Sequence, residues 1–232
     1  MQKASKSDIF FDLDHTLWDF ETNSRAALKE IFENRKLDNY IENFGVFLAK
    51  YEEINAKLWE LYAQQKITKA ELRIQRFAKT LSYFNLHSEE LSNHLAKDYV
   101  TTSPYQTHLF PKTKDVLTAL KNADYKLHII TNGFLEVQHI KLENSGIKEY
   151  FDVILCSEEV GANKPAPETF LTALQMAKTN PQDSLMIGDD LISDIQGAKN
   201  VGMQGVLFDP NEKYEEEGVV KIKSLEEVMR LV

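Results

Sequence analysis

The chain has a single cysteine, Cys156, among 232 residues. An internal disulfide framework is therefore excluded, and Cys156 itself is expected to be a small buried hydrophobe at a strand end. No apolar stretch reaches the roughly 20 residues that a membrane-crossing helix requires. Positive charge is in deficit: 27 Lys and Arg against 36 Asp and Glu give a formal net charge of −9. Such a balance argues against a nucleic-acid polymer or an anionic membrane as the main partner. The scattered His87, His94, His108, His128 and His139 have no metal-ligand spacing. Met1 to Asp8 is mostly polar and Ile9 to Phe11 is too short for the apolar segment of a secretion signal, so a reducing cytoplasm is the expected compartment.

What the chain does have is an acidic pair at the end of an apolar run. Ile9-Phe10-Phe11 leads into Asp12 and Asp14, with Thr16 and Leu17 following. Residues two apart on an extended strand point the same way, so both carboxylates can be offered to one site. Two acids so close repel unless a cation sits between them or one keeps its proton. Three later apolar runs also stop abruptly at polar chemistry. Leu127-His128-Ile129-Ile130 ends at Thr131, Asn132 and Gly133. Val153-Ile154-Leu155-Cys156 is trailed by an acidic loop and then Lys164-Pro165. Leu185-Met186-Ile187 gives way to Gly188-Asp189-Asp190 and, four residues on, Asp194. Buried strands with amphipathic helices between them predict an α/β fold with a doubly wound, Rossmann-like parallel sheet. Ligands of such sheets bind beyond the carboxyl ends of the strands, where every one of these polar clusters falls.

Between the first acidic pair and the rest of that pattern lies a segment, roughly Phe20 to Pro104, of different texture. Ala27, Leu28, Ile31 and Phe32 form one helical stripe; Phe44, Phe47, Leu48, Tyr51, Ile54, Leu58, Leu61 and Tyr62 form a longer one; Leu91, Leu95 and Tyr99 close the series. The expected division is a catalytic core of residues 1–19 and 105–232 with an all-helical insertion of residues 20–104. The return to the core is marked by Phe110-Pro111 before a helix over Lys112 to Ala123.

In their order and spacing these clusters resemble the four motifs of the haloacid dehalogenase superfamily of phosphohydrolases: Asp12-Leu13-Asp14-His15-Thr16 the first, Thr131 the second, Lys164 the third, and Gly188-Asp189-Asp190 through Asp194 the fourth. The resemblance spans nearly the whole chain. It implies that Asp12 is a nucleophile toward phosphorus that becomes an aspartyl phosphate, and that Asp14 is the acid and then the base of the two half-reactions. It implies one Mg²⁺ held by the Asp12 carboxylate, the Asp14 backbone carbonyl and the Asp189 carboxylate. Thr131, the Asn132 amide and Lys164 would bind the phosphoryl oxygens, with Asp190 and Asp194 orienting Lys164 or a metal-bound water. The helical insertion resembles the smaller cap of this superfamily, which closes over the site and chooses a small-molecule phosphomonoester.

Taken singly, Thr131 is an ordinary strand-end hydroxyl, Lys164 a solvated loop charge and Asp194 a helix-surface acid; only jointly do they point to chemistry. Trp18 and Phe20 suit either an apolar wall for a flat leaving group or hinge packing. Arg73 and Arg76, on a later helix of the insertion, could reach a substrate anion, though a solvated face is the expected fate of at least one. The string from Phe10 to Phe20, with Thr131-Asn132-Gly133 and the Gly161 to Pro167 loop, resembles the bacterial pyrimidine 5′-nucleotidases that act on unusual nucleoside monophosphates. Alternatives are a sugar-phosphate phosphatase or β-phosphoglucomutase-like phosphotransferase and, outside enzymes, a receiver-like phospho-aspartate signalling module. Dehalogenases of the superfamily lack the second acid, so Asp14 speaks against them. Oligomeric state is not legible in the sequence.

Overall fold

The computed structural model describes residues 7–232. Met1 to Lys6, part of the stretch expected not to be a secretion signal, lie outside the described residues. The chain divides into two compact units, one running to Phe20 and resuming over Thr107–Val232, the other spanning Glu21–Gln106.

The first unit is built on six parallel strands: β1 (Asp8–Phe11), β2 (Lys126–Thr131), β3 (Val153–Cys156), β4 (Ser184–Gly188), β5 (Gln204–Phe208) and β6 (Val220–Ile222). They lie in the order β3-β2-β1-β4-β5-β6. Ile9, Phe10 and Phe11 are fully buried, worth about 1.5–3 kcal/mol each. That burial requires β1 to be central, with both faces covered, because a strand apolar on every residue has no face to give to water. β1 pairs with β2 on one side and β4 on the other, Phe11 standing beside both Ile129 and Ile187. The strand order therefore reverses at β1, which opens a crevice at its carboxyl end.

Of the helices, α1 (Phe20–Asn34), α2 (Phe44–Ala63), α3 (Lys69–Tyr83) and α4 (Glu89–Thr102) carry the chain through the second unit, and α5 (Thr113–Asn122), α6 (Leu135–Asn144), α7 (Pro167–Ala177) and the short α8 (Gly197–Asn200) flank the sheet. Ile9, Phe11, Ile129 and Ile187 pack with Leu117 and Leu120 of α5 and Leu142 of α6. Phe10, Ile130 and Met186 point the other way, onto Phe170 and Leu174 of α7 and Ala198 of α8. The alternation along β1 thus fills two cores at once.

The second unit is helical, with short 3₁₀ turns at Leu37–Asn39 and Ser103–Tyr105. Asn43 caps α2 and Ser88 caps α4, while Thr68 and Glu71 close a reciprocal capping box on α3, satisfying amide donors that a helix start leaves open. Its core joins Leu28, Ile31 and Phe32 of α1, Phe47 and Tyr51 of α2, Phe77 and Leu81 of α3, and Leu95 and Tyr99 of α4. The long stripe expected on α2 is buried only in part: Ile54, Leu61 and Tyr62 are half-buried, and Asn55 takes a buried position among them. Among the described residues no helix is long and apolar enough to cross a membrane.

Candidate active site

The three central strands β2, β1 and β4 run out side by side. The Asp12 amide donates to Ile187 O at 2.9 Å, extending the ladder one residue past β1 and fixing where the Asp12 carboxylate begins. Thr131 ends β2 and Gly188 ends β4. A Cβ on Gly188 would meet Asp194 Oδ2 at 2.2 Å, so the absence of a side chain is what lets Asp194 fold back over the strand end. It does so from a single π-helical turn, Leu191–Gln196, a rare local geometry found disproportionately at functional sites.

Lys164 is the hub. Its ammonium donates to Asp12 Oδ1 at 2.5 Å, Asp194 Oδ1 at 2.6 Å and Ile130 O at 2.8 Å, so all three of its N–H donors are used. The backbone delivers it: Asn132 Oδ1 accepts from the Lys164 amide at 2.8 Å and Asn132 Nδ2 donates to the Lys164 carbonyl at 3.1 Å. The Asn132 side chain is thereby spent on the lysine loop. Burial by itself would lower the Lys164 pKa, but Asp12 and Asp194 outweigh it and hold it raised.

Carboxylates outnumber this cation. One oxygen each of Asp12, Asp189 and Asp194 lies within 4.8 Å of the others. Burial first, and then Asp194 and Asp14 against the pull of Lys164, push Asp12 up to about 7. Burial and the neighbouring Asp12 and Asp194 push Asp189 up to about 9. Fully ionised, three acids facing one lysine would leave two negative charges uncompensated, and a divalent cation supplies that balance where protons otherwise must. Asp194 is already engaged at both oxygens, by Lys164 and by the Asp190 amide at 3.1 Å. Asp12 and Asp189 are left as the carboxylates able to turn to an ion. A hard cation with oxygen ligands and retained waters fits this donor set. Asp190 spends Oδ1 on the Ile192 and Ser193 amides and so shapes the turn.

Asp14 has partners of its own. Its Oδ1 accepts from Lys141 Nζ at 2.6 Å and its Oδ2 from Gln138 Nε2 at 2.9 Å. The same Gln138 amide donates to Thr131 Oγ1 at 2.7 Å, and that oxygen also accepts from the Gly133 amide at 3.1 Å. With both lone pairs taken, the Thr131 hydroxyl has only its proton left to offer a ligand. Gln138 and Lys141 stand three apart on α6 and are buried. The Lys141 ammonium also lies 4.3 Å from the centroid of the Trp18 ring. Trp18 is fully buried, so it packs and holds Lys141 rather than forming a wall.

Asp12, Asp14, Thr131, Asn132, Lys164, Asp189, Asp190 and Asp194 thus gather at one sheet end. Gln138 and Lys141 were not legible in the sequence. Helix α6 has no strong apolar stripe against which two buried polar residues would stand out, and the signal available was only their (i, i+3) spacing shortly after Thr131.

The model of the haloacid dehalogenase-like hydrolase family matches residues 9–208. The pyrimidine 5′-nucleotidase PynA of Streptococcus pneumoniae is 31% identical over 204 residues, 88% of this chain and 84% of that protein. The pyrimidine 5′-nucleotidase YjjG of Escherichia coli is 31% identical over 229 residues, 97% of this chain and 96% of that protein. The structure of the YfnB protein of Bacillus subtilis, solved with magnesium bound, aligns with a TM-score of 0.88 at 27% identity, covering 98% of each chain.

Proposed function

The chain belongs to the haloacid dehalogenase-like hydrolase family, and from that premise we propose that it is a Mg²⁺-dependent phosphatase of small phosphomonoesters, with nucleoside 5′-monophosphates as its substrates and an aspartyl phosphate as its intermediate. The observation that carries this reading is the buried Asp12–Lys164–Asp194 cluster beside Asp189. It presents one carboxylate with a fixed cation on one oxygen and a cation-deficient pocket next to it. The nucleotide part rests on likeness to two pyrimidine 5′-nucleotidases over most of both chains.

In the first step an Asp12 oxygen attacks phosphorus in line and the bond to the leaving alkoxide breaks, with Asp14 supplying the proton that makes it an alcohol. Lys164 already holds Asp12 Oδ1, which keeps the carboxylate oriented and leaves its other oxygen to react. The Thr131 proton, the Asn132 amide and Lys164 balance charge on the phosphoryl oxygens. In the second step Asp14 accepts a proton from water as that water attacks phosphorus, and the bond from phosphorus to the Asp12 oxygen breaks, releasing phosphate and restoring the carboxylate. Asp12, Asp189 and the Asp14 carbonyl would hold the metal, which supplies electrostatic shielding between the attacking carboxylate and the phosphate.

The test is phosphate release across nucleoside monophosphates, sugar phosphates and p-nitrophenyl phosphate with Mg²⁺ present. Nucleoside 5′-monophosphates should give the highest kcat/KM, and Asp12→Asn should abolish turnover with the circular dichroism spectrum unchanged. A sugar phosphate preferred over all nucleotides would overturn the substrate assignment. Turnover retained in Asp12→Asn would overturn the nucleophile.

A further inference from the structure

The second unit holds a group of buried polar atoms with no hydrogen-bond partner: Arg76 Nε, the Tyr51 hydroxyl and Asn55 Oδ1. Arg76 is 4% exposed, Tyr51 1% and Asn55 9%. They are neighbours. Tyr51 and Asn55 are one helical turn apart on α2 and share a face. The Arg76 guanidinium of α3 lies 4.3 Å from the Tyr99 ring centroid and 5.4 Å from that of Phe77. The Tyr51 ring sits 5.2 Å from Phe77 and 6.0 Å from Tyr99, so both side chains rest on the same two rings. Tyr99 is held in turn by its hydroxyl, 2.8 Å from Ser24 Oγ. Burial raises the Tyr51 pKa well above its usual range, and the nearby Arg76 charge opposes that rise.

A buried guanidinium with no carboxylate partner is costly to hold, and stacking on aromatic faces offsets only part of that cost. The chain is rich in carboxylates, with 36 Asp and Glu, yet among the described residues none is ion-paired with Arg76. A water molecule would satisfy N–H and O–H groups without offsetting the charge. An oxyanion does both: it accepts from the guanidinium and from the phenol, and the Asn55 amide can rotate to present its N–H as a third donor.

We infer that the helical unit contains an oxyanion site formed by Arg76, Tyr51 and Asn55, which takes the carboxylate or phosphate group of a small molecule. This inference concerns that unit alone and stands whether or not the phosphatase reading above is right. The test follows the Arg76 Nε–H resonance by NMR of the full-length, metal-free protein with isotopically labelled arginine, the signal assigned by its loss in Arg76→Lys. Malonate and methylphosphonate are the probes, and neutral uridine is the control. Either anion should shift the Arg76 signal saturably and uridine should not. Tyr51→Phe, which keeps the ring and removes one donor, should weaken anion binding by about tenfold. An Arg76 signal unmoved by both anions, moved equally by uridine, or titrating with unchanged affinity in Tyr51→Phe would overturn the inference.

Discussion

At the level of single residues, the site separates two jobs that the Asp12-x-Asp14 spacing alone would merge. Asp12 is held by Lys164 and faces the acidic pocket; Asp14 is held by Lys141 and Gln138 of α6. Both Asp14 oxygens accept hydrogen bonds, which suits the proton-accepting half of the cycle, and donating a proton requires that one contact be released. In the proposed mechanism Lys141 is therefore a positioning residue. Lys141→Met keeps the apolar stem against Trp18 and removes the charge. It should lower kcat by about 10- to 100-fold on alkyl phosphates and less on p-nitrophenyl phosphate, whose departing oxygen needs no proton; Lys141→Arg should recover part of the loss. Equal losses on both substrates would mean that Lys141 serves the fold alone. Asp12 and Thr131 were legible because each ends a conspicuous apolar run, and Lys164 because it stands in a proline-marked loop. Gln138 and Lys141 were not, since a buried Gln or Lys on a helix looks like any solvated one until its partner from 124 or 127 residues away is in view.

At the level of elements, the amino ends of the strands have their own buried polar link, opposite the site. Asp8 of β1 accepts from His128 of β2 at 2.9 Å, from Ser7 at 2.6 Å and from Thr179 at 2.9 Å. Burial works to raise Asp8, but the hydrogen bonds from Ser7, His128 and Thr179 outweigh it and hold it below the ordinary carboxylate value. Burial lowers His128 below 6.5, with Asp8 pulling the other way. Both folded pKa values are depressed, so on acidification the unfolded chain takes up each proton first and stability is lost. In saturating Mg²⁺, the denaturation midpoint should fall from about pH 7 to pH 5. His128→Gln, which keeps a donor for Asp8 and removes the titration, should flatten that fall, and an unchanged slope would place the acid sensitivity elsewhere. The sequence marked β1 to β4 by their continuous apolar runs. It did not mark β5 and β6: Gln204–Phe208 opens on a polar residue and a glycine, and Val220–Ile222 is three residues with a lysine at its centre. Both are strands by virtue of the neighbour they pair with, not of their own pattern.

Over the whole molecule, the net charge of −9 and the crowding of acids at one sheet end make stability and ion binding a single problem. Without a cation, Asp12 and Asp189 have folded pKa values raised to about 7 and about 9 from 3.8. Carboxyls raised in this way favour the fold while protonated. Their contribution is greatest below pH 3.8 and is lost progressively as pH climbs, until both have ionised near 9. Metal-free protein should therefore lose stability between neutral and mildly alkaline pH, a direction opposite to that of the Asp8–His128 link. Mg²⁺ should raise the Tm, most at the alkaline end, and EDTA should reverse the gain, because an ion that binds only the folded state stabilises it by mass action. Asp189→Asn separates repulsion from ligation. Without metal it should be as stable as the parent or more so at pH 8, having replaced a carboxyl that the site must hold protonated far above its ordinary pKa. With Mg²⁺ it should show little rise in Tm and little phosphatase activity. Thermal melts of the two proteins with and without Mg²⁺ measure both effects, and a mutant that is destabilised without metal yet still gains the full Tm increment would show that Asp189 is neither strained by its neighbours nor a ligand.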